Sequence, residues 1–176
     1  GNFKIFKMSN KIINKVSKSK LITIDLEELY PEGERLTFDI KDWLFDELIL
    51  KEKDFRAAVK NHNWSRYKNT CVALGCSVDA IIPSWAYLLL SSELAPYAKK
   101  IVVGNLELLE TSLFQDIIQN LNIDSFKGGL IIIKGCTKKP IPPSAFSMLI
   151  HKIQPIAKTI MYGEACSTVP LFKKKK

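Results

Sequence analysis

Four short runs recur along the second part of the chain: Cys71 to Leu74 (CVAL), Ile101 to Val103 (IVV), Leu130 to Ile133 (LIII) and Thr159 to Tyr162 (TIMY). A strand with one wet face alternates apolar and polar residues, whereas a strand covered on both faces does not. Runs apolar at nearly every position therefore predict strands buried in a parallel sheet. The intervening segments fit that reading. Pro83 to Leu94 opens on a proline near its first turn and ends before Pro96. Leu106 to Leu121 follows Asn105, a good N-cap, and Pro143 to Ile153 opens in a proline-rich stretch and stops at Pro155. Strand, helix and strand repeated three times predict right-handed βαβ crossovers.

The first part reads less regularly. Leu21 to Leu26 (LITIDL) is β-branched and predicts a strand. Tyr30-Pro31-Glu32-Gly33 has turn composition, with proline presetting φ and glycine supplying freedom. From Asp39 onward, Trp43, Leu44 and Leu48, then Phe55, Ala58 and Val59, recur at three- and four-residue steps. That spacing predicts a helical pair, Asp39 to Ile49 and Glu52 to Asn61, with its apolar stripe inward. The expected fold is α/β: a single three-layer domain over residues 8–172, with a mainly parallel sheet and an N-terminal strand plus helical pair. In it the four apolar runs share one sheet and are mutually parallel, flanked by helices on both faces. A chain of 176 residues suits one substantial core.

The formal charge of +8 invites a nucleic-acid reading, so its location matters. Six of these charges come from Lys4, Lys7 and Lys173 to Lys176, leaving +2 for Met8 to Phe172. A nearly neutral body without a basic stripe or an aromatic-basic module argues against a nucleic-acid partner. Gly1 to Lys7 reads as a non-native or disordered lead, with Met8-Ser9 as the natural start. Lys173 to Lys176 reads as a disordered, exposed tail that folding does not need. No run of 18 apolar residues occurs, and Phe3 to Ile13 lacks the pattern of a signal peptide, so no membrane partner and a cytoplasmic location are expected.

Four cysteines in a chain without an export signal point to thiols or metal ligands before disulfides. No two of them form a C-x-x-C pair. Three follow predicted strands, each with a glycine shortly before it: Cys76 after Gly75, Cys136 after Gly135, and Cys166 after Gly163-Glu164-Ala165. Cys71 lies at the opposite, starting end of its strand. Ligands of open parallel sheets bind beyond the carboxyl ends of the strands. If the strands are neighbours, three thiols converge there and could hold zinc or an iron–sulfur species, with His62, Asp79 or Glu164 as a fourth ligand or the fourth position open. The competing explanation is that free cysteine simply packs as a small hydrophobe.

A second chemistry is a reactive thiol on a small substrate, because Cys76, Cys136 and Cys166 lie near helix starts or turns. A Cys–His pair would need His62 or His151. His151 falls mid-helix before Lys152 and reads as a surface residue, whereas His62 falls at a helix end, where a cation suits the dipole. Val103-Gly104-Asn105 carries one glycine and is neither a dinucleotide loop nor a P-loop. Asp25, Glu27 and Glu28 read as a solvent-facing acidic patch, and Trp43, Trp64 and Trp85 as core.

Several segments together resemble a known family. They are Ile24-Asp25-Leu26, Tyr30-Pro31-Glu32-Gly33-Glu34-Arg35, Phe38-Asp39-Ile40-Lys41-Asp42, Lys53-Asp54-Phe55-Arg56, Cys76-Ser77, Pro83-Ser84-Trp85-Ala86-Tyr87 and Gly163 to Pro170. The chain resembles the small bacterial domain-of-unknown-function family 2480 over nearly all of Met8 to Lys173. The resemblance brings no activity, catalytic residue or cofactor. It implies a genomic association with iron–sulfur cluster assembly, and so iron–sulfur assembly proteins as partners. The functional expectation is a cytoplasmic accessory protein binding zinc or an iron–sulfur species through Cys76, Cys136 and Cys166, with His62. The alternatives are a thiol-dependent enzyme on a small substrate and a partner-binding domain without chemistry.

Overall fold

A computed structural model of the chain describes residues 14–16, 21–135, 138–164 and 166–176. The expected lead Gly1 to Lys7, the expected start at Met8, and Cys136 lie outside these residues. In chain order the elements are β1 (Asn14–Val16), β2 (Leu21–Ile24), β3 (Arg35–Asp39), a 3-10 turn (Ile40–Trp43), α1 (Glu52–Asn61), a 3-10 turn (Trp64–Tyr67) and β4 (Cys71–Gly75). They continue with α2 (Ser84–Leu94), β5 (Lys100–Val103), α3 (Leu106–Gln119), a 3-10 turn (Asp124–Phe126), β6 (Leu130–Ile133), α4 (Pro143–Ile153), β7 (Thr159–Glu164) and β8 (Ser167–Lys173). The fold is mixed α/β, as expected. The four apolar runs are all strands, but they do not share a sheet. One sheet has the order β3-β4-β5, the other β1-β2-β6-β7-β8. Apolar runs announce burial but not partners, and β6 pairs with β2 rather than with β5.

The chain divides into two compact units: an inserted unit, Glu32–Ser112, and a split unit built from Gly1–Pro31 and Leu113–Lys176. In the split unit β2, β6 and β7 run parallel, with β1 and β8 antiparallel at the edges. Its core is apolar throughout: Ile22, Ile24, Ile131, Ile133 and Ile160 from the sheet pack with Phe114, Phe126, Leu149 and Ile153. Burying each such side chain contributes about 1.5–3 kcal/mol. Lys152 of α4 donates to the carbonyls of Ile118 and Gln119 at 2.6 and 2.7 Å, setting a cation on the last turn of α3. β8 continues to Lys173, which pairs with Thr159, and the Lys174 N–H donates to Lys158 O at 2.8 Å. The first two lysines of the expected disordered tail are therefore held by backbone bonds, although their side chains are exposed.

In the inserted unit β3, β4 and β5 are all parallel. Phe38, Ile40, Phe55, Trp64, Val72, Leu74 and Leu90 fill its core. The central strand β4 is buried on both faces, whereas β5, at the edge, is not, and Val103 is half exposed. Arg35 and Glu110 form a largely buried pair, with Nε to Oε1 at 2.6 Å and Nη2 to Oε2 at 3.2 Å.

The helical pair expected over Asp39 to Ile49 and Glu52 to Asn61 is half right. The second member is α1, but the first is a single 3-10 turn followed by a tight hairpin. Asp39 caps the turn by accepting from Lys41 N at 3.0 Å. Beyond it, Phe45 N donates to Ile49 O at 2.8 Å and Leu48 N to Phe45 O at 3.0 Å. Asp46 and Glu47 take left-handed φ values of 50° and 57°, which a helix cannot include.

Candidate functional site

Parallel strands in register end together. Asp39 pairs with Gly75, and Leu74 with Val103, so the carboxyl ends of β3, β4 and β5 form one edge. An open cleft of about 520 Å³ lies there. β3 supplies Thr37, Phe38 and Asp39; β4 and its loop supply Ala73 to Ser77; α2 supplies Tyr87; and Val103, Gly104 and Asn105 close it. Gly104 has φ +156°, and a Cβ there would sit 2.5 Å from Leu108 Cδ2, so glycine alone lets β5 turn this sharply into α3. A Cβ at Gly75 would meet only Gly104 O, at 3.4 Å. Bare backbone thus forms part of the wall.

Asp39 is the electrostatic centre of the cleft. Oδ1 accepts from Ser77 N at 3.1 Å and Lys41 N at 3.0 Å, and Oδ2 accepts from Ser77 Oγ at 2.6 Å. These bonds tie the end of β3 to the loop after β4. The Ser77 hydroxyl above all, against a burial penalty, holds the Asp39 carboxyl below its ordinary range; the two backbone N–H groups and the Lys41 charge assist. Burial pushes the Tyr87 phenol up, and the neighbouring Cys76 pushes it further, so Tyr87 stays a neutral donor. Asn105 Oδ1 accepts from Leu108 N at 2.9 Å, capping α3 as expected. No lysine, arginine or histidine lines the cleft.

The expected site residues separate. Cys76, half-buried, lies in the cleft. His62 stands at the end of α1, where its backbone N–H donates to Val59 O at 3.4 Å, but it is not the dipole-facing cation expected there. Its ring sits among Trp64, Trp43, Tyr67 and Phe38, with centroids 4.7 to 6.0 Å away, and Nε2 bonds Tyr67 OH at 2.8 Å. Burial, with Arg66 adding to it, lowers its pKa and keeps it neutral. Cys166 is exposed in the turn joining β7 to β8. Cys136 lies outside the described residues. Cys71, at the start of β4, is buried, and that burial pushes its thiol up. The premise that one sheet edge gathers three thiols is corrected. Cys76 follows a strand of one sheet, whereas Cys136 and Cys166 follow strands of the other. Among the described residues no three His, Cys, Asp or Glu side chains form a metal-binding group.

Sequence comparison matches residues 10–174 to a family described as "Protein of unknown function (DUF2480)". The chain belongs to this family. It is also 31% identical over 77 residues to FACT complex subunit SPT16 of Saccharomyces cerevisiae, covering 41% of this chain and 7% of that one. The same subunit of Candida glabrata is 30% identical over 77 residues, covering 41% of this chain and 8% of that one. This chain therefore spans under a tenth of the length of these relatives. No solved structure matches.

Among this family member's cleft residues, Asp39, Ser77, Tyr87 and Asn105 were not marked as a site by sequence reasoning. Asp39 was placed at a helix start because β3 was not read as a strand. The available signal was Arg35-Leu36-Thr37-Phe38-Asp39, a short run just after a turn. Asp79, named as a fourth ligand, lies in the loop between β4 and α2. Among the described residues no helix is long and apolar enough to cross a membrane.

Proposed function

We propose that the inserted unit is a small-ligand binding module whose site is the cleft at the carboxyl ends of β3, β4 and β5, with Cys76 as its soft contact. One observation carries this: a thiol, a fixed carboxylate and a neutral phenol gather over bare glycine backbone at the sheet edge where open parallel sheets take ligands. Binding is favoured over turnover by Cys76. The carboxylate beside it already accepts three hydrogen bonds and is a weak base, and His62 is engaged with Tyr67. The test is alkylation of Cys76 by iodoacetamide in the presence of a fragment collection, with exposed Cys166 as internal reference. Fragments that slow Cys76 and leave Cys166 unchanged support the module. A Cys76 that no fragment protects, or that never reacts in the folded protein, overturns it.

A zinc or iron–sulfur species bound through Cys136 and Cys166 is the second reading. Its support is that Cys136 and Cys166 follow β6 and β7, adjacent strands in register. On this reading iron–sulfur assembly proteins are the partners and a cytoplasmic location suits the free thiols. Metal content and the visible absorption spectrum of freshly purified protein test it. Stoichiometric zinc or iron that a Cys136→Ala, Cys166→Ala variant loses supports it; metal-free protein in both preparations removes it.

A further inference from the structure

Asp39 lines the cleft with one acceptor position still open. A carboxylate offers about four lone-pair sites. Oδ1 has taken two donors, Ser77 N and Lys41 N, whereas Oδ2 has taken only Ser77 Oγ. Asp39 is also the only ionisable carboxylate among the lining residues, and no cation faces it from the walls. Lys41, whose charge Asp39 feels, does not line the cleft. The opposing influence is the start of α3, worth about half a positive charge. That end is already capped by Asn105 Oδ1 and carries Glu107 in its first turn. A full negative charge against a capped half charge leaves the cleft negative. Phe38 and the half-exposed Val103 add apolar wall.

We infer that the cleft takes a cationic, amine-bearing small molecule with an apolar body, its ammonium on Asp39 Oδ2 and its body against Phe38, Val103 and Cys76. The assignment rests on the binding-module reading above and narrows it: the Asp39 charge disfavours phosphates and carboxylates.

Cys76 supplies the probe. Three reagents add a carbon to a thiolate with loss of halide but differ in charge: 2-bromoethylammonium, iodoacetamide and iodoacetate. The readout is the rate at Cys76 in the folded protein divided by the rate at the same cysteine in the unfolded chain, resolved by peptide mass spectrometry. The ratio is expected to fall from ammonium to amide to carboxylate, by about fivefold between the extremes at low salt. Added salt should shrink that spread. Asp39→Asn should bring the three ratios within about twofold of one another, whereas Ser77→Ala, which keeps the carboxylate, should preserve their order. If Asp39→Asn does not fold, the salt dependence of the native protein and of Ser77→Ala decides. Equal ratios in the native protein, a preference for iodoacetate, or a spread that ignores salt overturns the inference while leaving a binding cleft. A Cys76 closed to all three reagents, while Cys166 reacts, overturns the binding module itself.

Discussion

Among the described residues the inserted unit adds a largely buried ion pair to its apolar core and carries most of the exposed large hydrophobics, whereas the split unit's core is aliphatic and phenylalanine. The inserted unit holds the Arg35–Glu110 pair, the His62–Tyr67 bond inside an aromatic cluster, and the Asp39–Ser77 clasp. Nine of the twelve exposed large hydrophobics among the described residues fall in it, including Phe45, Leu48, Ile49, Ile81 and Leu88. That concentration marks where the chain departs from what stability alone favours, and such departures collect at working sites. The split unit has an aliphatic and phenylalanine core, and its ion pair, Lys134 with Asp25 at 3.8 Å, is partly exposed. On the proposed reading one unit carries the site and the other is ballast around a long sheet.

The sharpest way to break the contrast is to damage the ballast. Phe126→Ala removes a fully buried ring from the split unit and should cost about 3–5 kcal/mol. Trp43, Trp64 and Trp85 all lie in the inserted unit, so tryptophan fluorescence reports on it selectively. In urea, the far-UV circular dichroism of Phe126→Ala should begin to fall before its fluorescence changes. Coincident transitions would show that the two units melt as one.

Next come the ion pairs. Arg35→Met leaves Glu110 mostly desolvated and should cost about 3 kcal/mol by urea denaturation. Lys134→Met should cost less than about 1 kcal/mol. Similar losses at the two positions would erase the electrostatic half of the comparison.

A gentler probe is pH. His62 has a lowered pKa in the folded state, so the unfolded chain binds its proton first, near the ordinary value of about 6.5. Its contribution to stability is complete above that value and is lost as pH falls below it. Stability measured between pH 7.5 and 5 should therefore decline more steeply in the native protein than in His62→Gln. Asp39, also lowered, follows the same sign at more acidic pH: its contribution is present above about 4 and lost below. Identical slopes for native and His62→Gln protein would place the imidazole in water rather than among aromatic rings.

The smallest effect belongs to the end of the chain. Removing Lys175 and Lys176 should leave the melting temperature unchanged. Removing Lys173 and Lys174 as well severs strand pairing and the Lys174–Lys158 bond, and should cost about 1–2 kcal/mol.

What could be read from the sequence follows burial. β4 and β6 are central strands, covered on both faces, and their unbroken apolar runs declared them. α1 and α4 have the bounds that periodicity and proline placement gave. The edge strands β3 and β8 were missed for the complementary reason. β8 is exposed at most positions and contains Pro170, and β3 is half wet, so neither shows a run. The false helix over Asp39 to Ile49 arose because a tight turn brings Trp43, Leu44 and Leu48 to spacings that also suit a helix. Asp46 and Glu47 carry no glycine or asparagine signal for their left-handed backbone. Cys76 was found because a residue after a strand is easy to place. Asp39 was missed because its strand was, and the thiols were wrongly gathered because periodicity cannot say which strand lies beside which.

The pairing of Leu21–Ile24 with Leu130–Ile133 has a consequence for how the protein is made. A ribosome adding about 5–20 residues per second delivers the partner of β2 roughly 5–20 s after β2 itself. Everything needed for β3, β4 and β5 emerges within that interval. The nascent chain therefore leaves the tunnel with β3, β4 and β5 complete and an apolar strand, Leu-Ile-Thr-Ile, still waiting upstream with the edge that β6 will cover bare. Synthesis rate and chaperone supply therefore bear on recovery of the intact protein beside its final stability.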